Sequence, residues 1–143
     1  MHMRLQSAIF TVEDTLAGDD ADKVLSILKM EGVWLYAVTA LPREDAERLL
    51  REAGAEDYFR GLLAAPELGC SLGSAELYER AMRRLRSQPR DTIVFTGSPE
   101  ALRGAKAAGL RVAAVKGAAA EGEWDALRAE ADEVVERYAD FLL

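Results

Sequence analysis

The chain of 143 residues carries 18 Lys and Arg against 25 Asp and Glu, a formal charge of −7, with half of its residues hydrophobic and 30% charged. This balance describes one globular domain long enough to bury a real core, and its acidic excess argues against a nucleic-acid surface. One cysteine, Cys70, excludes an internal disulfide, and one histidine, His2, leaves no histidine network for catalysis or zinc.

In chain order, residues 5–12 form an apolar, partly β-branched run that predicts a first buried strand. Residues 21–31 follow with Val24, Ile27 and Leu28 on one helical face, and Gly32 stops the helix. Residues 33–38 predict a second buried strand, with Trp34 and Tyr36 as packing residues. Pro42 suits a first helical turn, and residues 43–53 carry Ala46, Leu49, Leu50 and Ala53 at helical spacing before Gly54.

Residues 61–65 predict a weaker third strand, and residues 74–86 a helix with Leu77, Ala81, Met82 and Leu85 inward. A strand over 91–96, a small-residue helix over 99–108 closed by Gly109, and a strand over 111–115 continue the alternation. Residues 118–120 and Gly122 read as loop, 123–128 as a last helix, 133–135 as a short edge strand, and 137–143 as a closing turn.

Alternating strands and helices with apolar strands imply a mostly parallel sheet, covered by helices on both faces, as one domain over residues 1–143. In such sheets ligands bind beyond the carboxyl ends of the strands, at the switch in strand order. Function is therefore sought in the loops after Thr11, Thr39, residue 65 and Thr96. Uncharged stretches fall well short of the ~20 residues a membrane span needs. No basic-then-apolar leader is visible, so a cytoplasmic location away from membranes is expected.

Charge is unevenly spread. Residues 121–140 hold eight acids against Arg128 and Arg137, whereas Arg80, Arg83, Arg84, Arg86 and Arg90 crowd one stretch, expected to be the solvated side of a helix. Asp19, Asp20 and Asp22 fit caps and first-turn acids of the following helix better than a metal cluster. Ser98-Pro99 has the form of a helix N-cap followed by a first-turn proline. Thr39 is placed either to cap the next helix or to bind an anion, since both roles use the same exposed amides. Cys70, without a histidine partner, reads as an incidental thiol. Trp124, in an acidic helix, is expected to be partly exposed.

Four segments carry a family resemblance in the right order and over nearly the whole chain: AIFTVEDTL at 8–16, LYAVTALPREDAERLL at 35–50, AGAEDYFRGLLAAPELG at 53–69, and ELYERAMRRL with DTIVFTGSPEALRGAKAAGLRVAAV within 76–115. They resemble the motifs of the haloacid dehalogenase superfamily, in its β-phosphoglucomutase and phosphoglycolate phosphatase branch. The resemblance implies a Rossmann-like three-layer α/β/α sandwich with the first strand near the middle of the sheet.

It also assigns roles by position. The nucleophilic aspartate of the D-x-D-G-T-L motif corresponds to Thr11, the general acid/base to Glu13, and the following glycine to Asp14. The phosphate-binding Ser or Thr is Thr39, the motif lysine corresponds to Leu72, and the magnesium-holding acids fall in Phe95-Thr96-Gly97-Ser98. A helical cap between the first two motifs is absent, since only 23 residues separate Thr15 from Thr39.

Aspartyl-phosphate chemistry needs a carboxylate at phosphorus, and magnesium needs carboxylate oxygens. With Thr11, Leu72 and Gly97 at those positions, the resemblance implies a catalytically degenerate binding or regulatory module with no catalytic residue, cofactor or metal. Its ligand-binding candidates are Glu13, Asp14, Thr39, Ala40 and Ser98, and its partner is a protein or a small anion. The alternative is a magnesium-dependent phosphohydrolase with a remodelled site using Glu13 or Asp14.

Overall fold

The structure, a computed structural model, describes residues 5–16, 20–117 and 121–141. Six strands form one parallel sheet: β1 (Ser7–Thr11), β2 (Trp34–Thr39), β3 (Phe59–Ala64), β4 (Thr92–Thr96), β5 (Arg111–Val115) and β6 (Glu133–Val135). Their order is β3-β2-β1-β4-β5-β6, with every neighbouring pair parallel. The chain runs outward from β1 to one edge, returns, and runs outward to the other, so the switch point lies between β1 and β4.

Side chains alternate across the pleat and divide the core into two layers. On one face Ala8, Phe10, Leu35, Ile93 and Phe95 pack against Val24, Leu25 and Leu28 of α2 (Ala21–Met30), Ala46 and Leu50 of α3 (Arg43–Glu52), and Tyr138 of α8 (Tyr138–Phe141). On the other, Ile9, Val38, Val94 and Val112 meet α5 (Ala75–Leu85), α6 (Pro99–Ala107) and α7 (Glu121–Glu130). Phe10 and Phe95 stack across the switch point with centroids 4.6 Å apart. The expected three-layer sandwich is formed, and between β1 and β2 the described chain contains only α1 (Val12–Thr15) and α2, with no cap.

Several local readings are corrected. Val12 leaves the first strand because the Thr15 hydroxyl donates to the Thr11 carbonyl at 2.6 Å and closes the one-turn helix α1. The third strand begins earlier, at Phe59, and runs into α4 (Ala65–Leu68). Gly122 lies inside α7 rather than in a loop, and the closing segment contains the one-turn α8. The expected loop at 118–120, like Asp19, falls outside the described residues. Asp20 caps α2 with no side-chain bond; it has left-handed backbone and pairs with Lys23 at 3.1 Å.

The two tryptophans exchange their expected places. Trp34, at the start of β2, is 47% exposed, whereas Trp124 is 4% exposed and packs in the second core layer. No helix among the described residues is long and apolar enough to cross a membrane.

Gly104 sets the distance between α6 and the segment before α5. A Cβ there would lie 2.4 Å from the Leu72 carbonyl oxygen and 2.7 Å from the Tyr78 ring. Gly104→Ala is expected to destabilise the fold by about 2 kcal/mol despite alanine's better helix propensity, read as a lower urea midpoint.

Candidate functional site

Beyond the carboxyl ends of β1, β2 and β4, the one-turn helix α1 carries two acids that reach the ends of the two strands flanking β1. Because α1 starts directly after Thr11, Glu13 and Asp14 are separated by about 100° around its axis and diverge. Glu13 turns toward β2: its carboxylate accepts the Thr39 hydroxyl at 2.8 Å and the Ala40 amide at 2.8 Å. Asp14 turns toward β4, accepting the Gly97 amide at 3.1 Å and the Thr11 hydroxyl. The two acids thus set the chain's own carboxylates on both sides of β1, Asp14 at the switch point and Glu13 beside β2.

Thr39 serves no helix cap. The N-cap position of α3 is Pro42, and the Thr39 oxygen instead accepts the Leu41 amide at 3.0 Å while its hydroxyl is committed to Glu13. Ser98 does cap, accepting the Ala101 amide at 3.1 Å at the start of α6, with Pro99 following. Leu72 is 5% exposed and belongs to the apolar core with Tyr78, whose hydroxyl donates to the Leu72 carbonyl at 2.6 Å. Glu13, Asp14, Thr39, Ala40 and Gly97 are therefore brought together, Ser98 adjoins them as a cap, and Leu72 is committed to packing.

The sequence places Thr96 at a strand end and in the magnesium-motif segment but assigns its hydroxyl no role. Its hydroxyl lies 2.8 Å from that of Thr11 in a buried hydrogen bond and accepts the Ser98 amide at 3.1 Å. The available signal was a threonine ending a strand two residues before a serine cap.

Thr11 has a carboxylate beside it, since Asp14 accepts its hydroxyl. Thr11 itself is fully buried.

Burial pushes the Asp14 carboxyl up to about 6, with the negative charge of Glu13 adding to the rise while the Thr11 and Gly97 donors oppose it. The backbone around it is tight. A Cβ on Gly97 would meet the Val115 carbonyl oxygen at 2.8 Å, and one on Gly117 would meet that of Asp14 at 2.8 Å. An acid at position 97, where the resemblance places a magnesium ligand, has no room without displacing backbone.

The donor set does not suit a divalent cation. Its two carboxylates are occupied by protein donors, position 97 offers no side chain, and no group of three or more acids, histidines or cysteines fit for a metal lies among the described residues. Cys70 stays thiol-like, because burial and then Glu76 raise it above its ordinary range.

A parallel sheet with hydroxyls, amides and carboxylates gathered at its switch point defines a doubly wound α/β domain with a ligand-type crevice. Within that class the chain belongs to the haloacid dehalogenase-like hydrolase family, whose pattern matches residues 4–109. CbbY from Rhodobacter sphaeroides, solved with phosphate, is 25% identical, with a TM-score of 0.76 over 87% of this chain and 55% of that one. A provisionally assigned β-phosphoglucomutase from Thermotoga maritima is also 25% identical, with a TM-score of 0.70 over 80% of this chain and 53% of the other.

The core domain of a provisionally assigned phosphoglycolate phosphatase from Streptococcus pneumoniae, 17% identical with a TM-score of 0.73, is covered over 96% of its length by 99% of this chain. The chain spans little more than half the length of the first structures it matches. No curated protein matches the sequence.

Proposed function

We propose that this domain is a catalytically degenerate member of its hydrolase family, acting in the cytoplasm as a binding or regulatory module without a metal or cofactor. The observation that carries this reading is the pair of hydrogen bonds that the Glu13 carboxylate accepts from the Thr39 hydroxyl and the Ala40 amide. The resemblance assigns Thr39 to phosphate, and here the chain supplies its own anion to that hydroxyl and the next amide. A phosphate ester must first displace Glu13, and it must then lie beside two uncompensated carboxylates. Thr11, at the nucleophile position, is buried, and the lysine that would balance the charge is replaced by core Leu72.

The contact between Asp14 and Thr11 favours a second reading, a remodelled magnesium-dependent phosphohydrolase in which Asp14 serves as base. Turnover of p-nitrophenyl phosphate with magnesium separates the two. The expected rate is that of buffer alone. Metal-dependent turnover lost in both Glu13→Gln and Asp14→Asn would establish the hydrolase and overturn the first reading.

A further inference from the structure

In the arginine-rich stretch that the sequence sets apart, Arg83 and Arg84 are exposed on α5 as expected, and Arg86 and Arg90 are exposed beyond its last residue. Arg80 is paired with Glu76 at 2.8 Å, but Arg84 and Arg86 line a cleft of about 870 Å³ at the amino end of the sheet, opposite Thr11. That volume lies within the range of about 300–1,000 Å³ typical of small-molecule sites. The same cleft is lined by Gln6, Glu31, Trp34 and Arg60, so three guanidinium-bearing side chains and one carboxylate share it in a chain of charge −7.

Two features separate this cleft from ordinary surface. Trp34 is an exposed residue, and the Arg60 guanidinium sits 3.4 Å from the centre of its ring, so a flat cation and a flat ring form one stacked platform. Arg86 ends α5 in the left-handed region at φ 54°, where glycine is relaxed and arginine is not. None of Arg60, Arg84 and Arg86 has an ion-pair partner among the described residues.

We propose that this cleft binds a phosphate ester bearing a flat ring, of nucleoside-phosphate size. Arg84 and Arg86 hold the phosphate oxygens through charge-assisted hydrogen bonds, and the Trp34–Arg60 platform stacks the ring. Glu31 disfavours a carboxylate or phosphate at its own side and orients the charged end toward the two arginines. The site does not depend on Glu13 or Asp14.

Titration of the full chain with ADP and with pyrophosphate, followed by calorimetry and by tryptophan fluorescence, tests it. ADP is expected to bind at least about tenfold tighter than pyrophosphate, to weaken as salt rises, and to change the emission of Trp34 while buried Trp124 stays silent in Trp34→Phe. Arg84→Ala and Arg86→Gly are each expected to weaken ADP by about tenfold or more. Arg86→Gly should hold or raise the unfolding temperature, because glycine suits that backbone, so its loss of binding is not a loss of fold.

No saturable ADP signal, or ADP binding unchanged in Arg84→Ala and Arg86→Gly, overturns the proposal. Equal affinity for pyrophosphate and ADP overturns the stacking role of Trp34. Amide-shift mapping is expected to centre ADP on Trp34, Arg84 and Arg86; shifts centred instead on Thr39 and Ala40 would place the ligand at the other end of the sheet and overturn the assignment.

Discussion

Glu13→Ala is expected to raise the affinity of the chain for inorganic phosphate by about 10- to 100-fold. In the native chain both Thr39 and Ala40 donate to Glu13 at 2.8 Å, so phosphate finds these donors occupied and a negative charge in place. Two like charges about 4–5 Å apart at an effective dielectric near 20 repel by about 3–4 kcal/mol, well above the ~1 kcal/mol a single hydrogen bond contributes net. Native binding is therefore expected to be millimolar or weaker, and the freed site about 1.4–2.8 kcal/mol better.

Part of the gain is withheld because Asp14 keeps its charge on the neighbouring side of the crevice. Glu13→Gln, which removes the charge but still fills the space, should fall between the two. Calorimetric titration at neutral pH measures all three chains. Micromolar phosphate binding to the unsubstituted chain, centred on Thr39, would show that Glu13 does not close the site.

The second large effect belongs to Asp14. Its carboxyl titrates in the folded chain at about 6, against 3.8 for the free side chain, because burial disfavours the charged form more than Thr11 and Gly97 favour it. Between these values the folded chain holds a proton that the unfolded chain has released, so stability falls as pH rises through the window and stays lower above it. The full shift corresponds to about 3 kcal/mol above pH ~6, less where local relaxation admits water.

Asp14→Asn keeps an oxygen to accept the Gly97 amide and the Thr11 hydroxyl but carries no charge. It is expected to stabilise the fold by about 1–3 kcal/mol near neutral pH and by almost nothing near pH 4. Urea unfolding at both pH values reads the difference. A neutral-pH loss of stability in Asp14→Asn would mean that the ionised carboxylate's hydrogen bonds outweigh its burial.

These two acids mark the limit of what the sequence tells about its own chemistry. Strand and helix periodicity, Gly32 and Gly54 as stops, and Ser98-Pro99 as a cap are local signals, legible because each rests on residues a few positions apart. The parallel sheet, the central place of β1 and the loops that bear the site follow from that alternation and from the family resemblance. The residues that the resemblance sets at the family's catalytic positions, Thr11, Leu72 and Gly97, are read from the sequence as well.

What the sequence left open were contacts between residues far apart in the chain. Thr39 was balanced between cap and anion site until Glu13, 26 residues earlier, took its hydroxyl. Asp14 is one acid among several until β4 brings Gly97, 83 residues away, to its carboxyl in a partly buried hydrogen bond. Trp34 and Trp124 were misplaced because exposure of a large ring depends on which element covers it, and strand or helix pattern alone does not say. Periodicity is set by the local backbone geometry of each element, whereas the partner of a polar side chain is set by which loops the sheet order places side by side.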